Sequence, residues 1–107
     1  MISRHWRALA RSERAHEYVL HLQHKTFPEL RKLSGFIDAT ILRRDQSEGV
    51  EFVVITNWVS AEAIHAFSSG HDVEVAVVPL EVRDMMLEYD LRARHYRVIE
   101  PLLTTAP

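Results

Sequence analysis

Apolar and polar side chains alternate along the first residues of the chain. Residues 2–9 contain no helix breaker, and a period of two places Arg4 and Trp6 on one face and His5 and Arg7 on the other. This pattern predicts a first β-strand.

The next segment has a helical period instead. Ser12 is a favourable N-cap for this helix, and Pro28 is expected to break or kink it before Gly35 ends it. The apolar residues that recur at i, i+3, i+4 and i+7 are Ala15, Tyr18, Val19 and Leu22.

Two further segments predict a hairpin. Residues 36–44 are predicted as a strand from the apolar side chains at 36, 37, 41 and 42, and residues 50–59 as a strand rich in β-branched and aromatic residues. The polar residues 45–49 between them have the length of a hairpin loop. Ser60 then caps a second helix, which ends at residues 68–70.

The last third of the chain predicts helix followed by strand. Residues 72–88 are predicted as two helical pieces separated at Val78 and Pro79, since proline is tolerated in a first turn. Residues 89–99 are predicted as the final strand, and residues 101–107 as a frayed tail.

This order of elements is typical of the ferredoxin-like split βαβ pattern, an α+β fold with a four-stranded antiparallel sheet. Two helices cover one face of such a sheet. In residues 50–59, however, Val53 and Ile55 are apolar on the face opposite to Phe52 and Val54. Because a solvated sheet face should be polar, we expect a homodimer in which two sheets meet face to face.

Composition narrows the class of protein. The chain has 107 residues, 47% apolar and 26% charged, which indicates one globular domain, assigned to residues 1–100. The absence of cysteine excludes disulfide scaffolds and thiol catalysis.

With a net charge of −2 and no apolar run of bilayer-spanning length, neither nucleic acid nor a membrane is expected as a partner. A cytoplasmic location is expected because the first residues lack a signal-peptide pattern.

Several segments together resemble the antibiotic biosynthesis monooxygenase (ABM) family. They read ISRHWRALA with ERAHEYVLHL, LSGFIDATILRR, EFVVITNWVSAEAIHAF and YDLRARHYRVIE. The most specific pieces are the strand start at Gly35 and Phe36 and the strand-to-helix segment from Trp58 to Phe67. The resemblance covers residues 2–100 and implies a dimeric α+β barrel.

Members of this family include cofactor-independent oxygenases of polycyclic phenols, oxidases of small quinols and a branch that degrades haem. The positions of the haem branch's Asn, Trp and iron-binding His correspond to Trp6, Phe67 and Val77. Because valine cannot ligate iron, haem degradation is not expected. The resemblance therefore implies a cofactor-independent monooxygenase acting on a small aromatic or quinol-type substrate. The alternative is a non-catalytic dimer that binds a small molecule, with haem among the candidates.

The predicted catalytic base is His71 or His95. His71 lies in a loop beside Asp72, and a carboxylate can support a histidine base near neutral pH. His95 and Tyr96 are adjacent on the last strand, so one points inward and the other toward the dimer partner. The alternative for both His95 and Tyr96 is a hydrogen-bonded polar group in the sheet.

The predicted substrate-binding residues are aromatic or cationic. Trp58 and Trp6 are expected to supply flat walls, and Arg4 or Tyr96 an anion contact, with Phe67 beside them. Packing of Trp58 between sheet and helix, and pairing of Arg4 with a surface carboxylate, remain open as alternatives.

Seven histidines raise the question of a metal site. His21 and His24 are three residues apart on the first helix, a spacing that can share a metal ion. Both lie off the apolar stripe, and no acidic residue follows at a matching spacing, so a solvated helix face is favoured and no metal is expected. The chain also lacks the glycine-rich phosphate and dinucleotide motifs.

Overall fold

Five antiparallel strands form one sheet in the computed structural model, which describes residues 1–68 and 72–100. The strands are β1 (Ile2–Ala10), β2 (Phe36–Asp45), β3 (Val50–Trp58), β4 (Met86–Tyr89) and β5 (Arg94–Arg97). β3 lies between β2 and β1, and both β4 and β5 pair with the other edge of β1. The α+β class and the ferredoxin-like order are confirmed, but the predicted count of four strands is wrong.

Short helices cover one face of this sheet. They are α1 (Ala15–His21), α2 (Phe27–Arg31), α3 (Ala61–Ser68) and α4 (Leu80–Arg83). None of the helices within the described residues is long and apolar enough to cross a bilayer.

Pro28 changes the first helical region without ending it. Proline lacks an N–H, and its ring crowds the carbonyl four residues back, so α-helical hydrogen bonding cannot run through it. The chain meets this constraint with a π-helical stretch at Leu22–Thr26, after which α2 begins with Pro28 in its first turn. The helical path therefore continues to Arg31.

The two predicted N-caps have different outcomes. The hydroxyl of Ser60 accepts the N–H of Ala63 at 3.4 Å, as expected of a cap for α3. Ser12 does not cap a helix. It lies in a 3-10 turn, and α1 begins at Ala15 without a side-chain cap.

The helices predicted for residues 72–88 are mostly wrong. Only α4 is helical, residues 72–79 are irregular, and the last residues of the segment join β4. Backbone hydrogen bonds to a distant segment decide this, because the N–H of Ala93 donates to Glu74 at 2.7 Å and that of Ala76 to Leu91 at 2.9 Å. A local pattern cannot detect such partners.

The final strand predicted at residues 89–99 is interrupted. Residues 90–93 leave the sheet, and Arg92 forms an isolated bridge with Val75. The interruption is held by Asp90, whose N–H donates to Arg7 at 2.9 Å and whose carbonyl accepts the Trp6 indole N–H at 2.7 Å. One predicted strand thus becomes β4 and β5.

The inner face of the sheet, defined as the face that carries the helices, holds the core. Ala8, Ala10, Phe52 and Trp58 point to this side and are fully buried. The ring of Phe52 meets Tyr18 of α1 edge to face, with ring centroids 5.2 Å apart. Burying one such side chain contributes about 1.5–3 kcal/mol to stability.

The outer face, on the opposite side of the sheet, combines apolar and charged groups. Its apolar side chains include Leu42, Val53, Ile55 and Tyr96, with Leu42 and Tyr96 each 49% exposed. At one end Glu51 accepts hydrogen bonds from Arg7 at 2.5 Å and Arg44 at 2.9 Å. The predicted apolar character of both faces of β3 is confirmed.

Gly35 lies at the junction of α2 and β2, where the backbone passes close to α3. Its φ of 88° is in the left-handed region. A Cβ at this position would lie 2.6 Å from the Ala63 Cβ and 2.9 Å from Val59 Cγ2. Glycine is therefore required both by the backbone conformation and by the close approach of α3.

We expect Gly35→Ala to lower the free energy of unfolding by about 2 kcal/mol or more, because the left-handed conformation and the overlap both carry a cost. Adding Ala63→Gly removes the nearer overlap, so the double variant should lose less stability than the sum of the two single changes. Urea unfolding of the four proteins measures this difference. Strictly additive effects would contradict a close contact between Gly35 and α3.

Candidate functional site

A cavity of about 160 Å³ lies between the inner face of the sheet and the helices. Apolar side chains of β1, β3 and all four α-helical regions make up most of its wall. The described polar residues that line it are Arg4, Tyr18, His21, Thr26 and Thr56. Mostly apolar walls with a few converging polar groups are typical of small-molecule sites.

Arg4 places a buried cation in this wall. It is 5% exposed and lies on β1, and its Nη1 donates to the carbonyl of Val73. Nη1 also donates to Nε2 of His95 at 2.7 Å, and Nη2 to the carbonyl of Val75 at 3.4 Å.

No carboxylate among residues 1–68 and 72–100 compensates the charge of Arg4. All 15 acidic residues lie in the described part of the chain, and none of them forms an ion pair with Arg4. Burial lowers the pKa of the guanidinium to about 10, which still leaves it charged at neutral pH. The open alternative of a surface ion pair for Arg4 is therefore wrong, and the cavity favours an anion.

Two aromatic side chains pack beside the guanidinium of Arg4. The Cζ of Arg4 lies 5.2 Å from the centroid of the Phe67 ring, which lines the cavity. Trp58 packs on Phe67 with ring centroids 6.1 Å apart and donates its indole N–H to Thr56 at 2.9 Å. Trp58 is fully buried and is not among the described residues that line the cavity, so it supports Phe67.

Trp6 lines the cavity in a fixed position. Its indole N–H donates to the Asp90 carbonyl, and its ring lies 6.3 Å from that of Tyr89. The sequence-based placement of Trp6 and Arg4 on one face of β1 agrees with the structure.

Tyr18 directs a second polar group to the cavity. The residue is 2% exposed, and its hydroxyl has no hydrogen-bond partner within residues 1–68 and 72–100. Burial raises its pKa, so the hydroxyl keeps its proton at neutral pH. It is therefore an available donor for a ligand oxygen.

His95 and Tyr96 point to opposite faces of the sheet, as their adjacency predicts. His95 lies beside Arg4 on the inner face, and its Nε2 accepts the Arg4 N–H, so the ring is neutral. Tyr96 lies on the outer face, where its ring is 4.9 Å from that of His5. Neither residue is among the described residues of the cavity wall.

The other predicted base, His71, lies outside the described residues, as do Ser69, Gly70 and residues 101–107.

His21 is a cavity residue that the sequence pattern missed. The sequence predicts a solvated helix face for His21, but its side chain is 9% exposed, lines the cavity and has its Nδ1 3.8 Å from Oε1 of Glu81 in α4. His21 follows Tyr18 by three residues, which places both on neighbouring positions of one helix face. That spacing is visible in the sequence, whereas the cover by α4 is not. His24 is exposed, as expected.

The arrangement of titratable groups does not form a recognisable metal centre. Within residues 1–68 and 72–100, no group of three or more His, Asp or Glu side chains is placed to hold one metal ion.

The fold and the site define a class of small α+β proteins with an apolar, cation-containing cavity between the sheet and its helices. The family model for antibiotic biosynthesis monooxygenase matches residues 1–78, and the chain belongs to this ABM family. The resemblance predicted from the sequence is thus confirmed. Among curated proteins, no sequence match was found. Trp6, Phe67 and Val77, the three positions that the resemblance matches to functional residues of the haem branch, all line the cavity.

Solved structures show the same fold at low sequence identity. An ABM-family protein from Bacillus cereus is 19% identical with a TM-score of 0.69, covering 99% of this chain and 98% of that one. One from Deinococcus radiodurans is 18% identical with a TM-score of 0.64, covering 99% and 100%. The monooxygenase from the gene ActVA-Orf6 of Streptomyces coelicolor, in complex with Nanaomycin D, is 17% identical with a TM-score of 0.63, covering 97% and 92%.

The neutral state of His95 makes a testable link between pH and stability. Burial and the charge of Arg4 lower the pKa of His95, while Glu74 and Asp72 oppose this shift. The unfolded chain therefore binds a proton at His95 more readily than the folded chain does. The contribution of the neutral ring to the free energy of unfolding is complete above about pH 6.5, and it is lost as the pH falls toward the pKa of His95 in the folded chain.

We expect the midpoint of thermal unfolding to decrease between pH 7 and pH 5, and to decrease less in His95→Gln, whose amide oxygen can still accept from Arg4. His65→Gln, an exposed histidine of α3, is the matched control and should follow the wild type. Equal pH dependence in the wild type and His95→Gln would show that His95 is not held neutral.

Proposed function

We propose that this protein is a cofactor-independent monooxygenase of a small, single-ring phenol or hydroquinone. The observation that carries the proposal is the buried guanidinium of Arg4, which has no carboxylate partner in the part of the chain that the structure describes and lies in the wall of an apolar cavity. A phenolate complements such a site, because it combines a flat apolar body with one anionic oxygen. Membership of the ABM family supports the reaction class.

In this reaction the substrate supplies the electrons. Loss of a phenolic proton gives a phenolate, and the charge of Arg4 stabilises that anion while the electron-rich ring reacts with O₂. One oxygen atom replaces a ring hydrogen and the other leaves as water. A hydroquinone and O₂ thus give a hydroxyquinone and water, and all four electrons that reduce O₂ come from the substrate.

The size of the cavity supports a single-ring substrate. A cavity of about 150 Å³ in another protein accepts benzene, and the cavity here is close to that volume at about 160 Å³. A substrate with several fused rings would require the walls to move apart. The three-ring dihydroxyanthracenes should therefore be poorer substrates than hydroquinones.

We expect purified protein to consume O₂ with hydroquinones, measured with an oxygen electrode. Arg4→Gln should lower kcat/KM by about 10²–10³-fold, as the loss of a group that stabilises developing negative charge usually does. The kcat/KM of Arg4→Lys should lie between those of the wild type and Arg4→Gln, because lysine keeps the charge and loses the planar geometry. Arg31→Gln, an exposed arginine at the end of α2, is the matched control and should leave the rate unchanged.

Other outcomes separate the alternatives. Thermal stabilisation by phenols without oxygen uptake would favour a non-catalytic binding protein, and a Soret shift on titration with haem would favour haem as its ligand. Wild-type rates in Arg4→Gln would contradict the role of Arg4.

We also infer that two copies associate through their outer faces. Leu42 is 49% exposed beside Val53 of the neighbouring strand, which leaves apolar surface that a second copy would cover. Both chains of such a dimer would keep their cavities on the inner side.

In sedimentation at micromolar concentration we expect a mass of twice 12.4 kDa. Leu42→Lys should shift the mass toward that of one chain, since it places a charge in the interface. Leu20→Lys changes a similarly exposed leucine of α1 and should remain dimeric. A wild-type mass near 12.4 kDa would refute the dimer.

A further inference from the structure

We propose that His21, which lies beside Glu81, is the general base that removes the phenolic proton, and that the preferred substrates are para-hydroquinones. This assignment rests on the proposed function, and it names a base that lies in the cavity wall itself.

The position of His21 suits this role. The side chain lies at the end of α1, is 9% exposed and lines the cavity. Its Nδ1 lies 3.8 Å from Oε1 of Glu81, so Nε2 is the nitrogen left for a ligand in the cavity. At 3.8 Å the two groups lie near each other without a hydrogen bond, and such contacts between a base and a carboxylate commonly shorten when substrate binds.

The other described histidines are less suited. His95 already accepts the Arg4 N–H through Nε2. His5 lies on the outer face and is hydrogen-bonded to Ser3 at 2.9 Å. The exposed histidines at positions 16, 24 and 65 do not line the cavity. Of the six histidines that the structure describes, His21 alone is in the wall.

The charged groups around His21 balance the proton transfer. Glu81 reaches it from α4, and Lys25 of the π-helical stretch shares that carboxylate at 3.3 Å. Arg4 and Tyr18 line the same cavity from β1 and α1. As the phenolic O–H bond breaks and an N–H bond forms on Nε2, the imidazolium gains Glu81 as its counter-ion, and the charge of Arg4 stabilises the anionic ring from the opposite wall of the cavity.

The placement of the two groups suggests the substitution pattern of the ring. Arg4 projects from the sheet and His21 from the helix layer, so that cation and base belong to different walls. A para-hydroquinone carries its hydroxyls at opposite ends of the ring. One oxygen can thus contact Arg4 while the other gives its proton to His21.

A binding experiment tests the base without requiring turnover. The probe is 4-nitrophenol, whose phenolate is coloured, titrated from pH 5 to pH 9 in the presence of saturating protein. We expect His21→Gln to raise the apparent pKa of the bound probe by about one to three units relative to wild type, since the proton loses its acceptor. Glu81→Gln should raise it by less, and His16→Gln should match the wild type.

Turnover supplies a second readout. With para-hydroquinone, His21→Gln should lower kcat by about 10²–10⁴-fold at neutral pH, and the rate should recover as rising pH ionises the substrate in solution. Glu81→Gln should lower kcat by a smaller factor, because the imidazole keeps its place in the cavity wall and loses only the carboxylate beside it. Glu29→Gln, another exposed glutamate, should leave the profile unchanged. Ortho- and meta-dihydroxybenzenes should be slower than the para isomer.

The outcomes distinguish the two proposals. Equal probe pKa values in wild type and His21→Gln overturn His21 as the base, whatever the oxygen uptake. A His21-dependent probe shift without oxygen uptake by any hydroquinone supports the proton acceptor and overturns the monooxygenase. If His21→Gln does not fold, Glu81→Gln decides: it changes a half-exposed side chain, and an unchanged probe pKa in that variant overturns the pair.

Discussion

The guanidinium of Arg4 is the group on which the arrangement of the site depends. Its donors hold the carbonyls of Val73 and Val75 and the ring of His95, so that one side chain of β1 connects β5 with the irregular segment before α4. Burying a cation costs several kcal/mol unless hydrogen bonds and opposite charge compensate it. Carbonyls supply part of that compensation, and no carboxylate of the described residues supplies the rest.

The helix layer forms the opposite wall of the cavity. Its shape there depends on a second constraint, the proline in the first helical region. Since Pro28 cannot take part in a continuous α-helix, the chain widens into a π-helical stretch before α2. Residues at this widening, Leu22 and Thr26, line the cavity together with His21 just before it. Irregular helical turns frequently occur at functional sites. Here the irregular turn lies where the proposed base faces the substrate.

The proposed mechanism depends on the cation of Arg4 and the base of His21 lying in different walls of the cavity. Arg4 is fixed on a strand by backbone carbonyls, and His21 is approached by a carboxylate on a short helix. The cation and the base do not pair with each other. A substrate between them can therefore become an anion that Arg4 stabilises while its proton moves to His21. Trp58 and Phe67 provide rigidity, because a fully buried indole packs behind the ring that supports the guanidinium.

The sequence by itself determined the α+β class, the faces of β1 and β3, the family, and the presence of Arg4 and Trp6 on one wall, because these follow from periods of two and from local motifs. Only the tertiary structure decided that residues 72–79 are not helical, that the last strand is divided, and that His21 faces the cavity. Each depends on partners distant in the chain, such as Leu91 for Ala76 and Glu81 for His21. Backbone donors and buried side chains form hydrogen bonds and contacts with residues that become neighbours only in the folded chain. A local sequence pattern therefore cannot predict those partners.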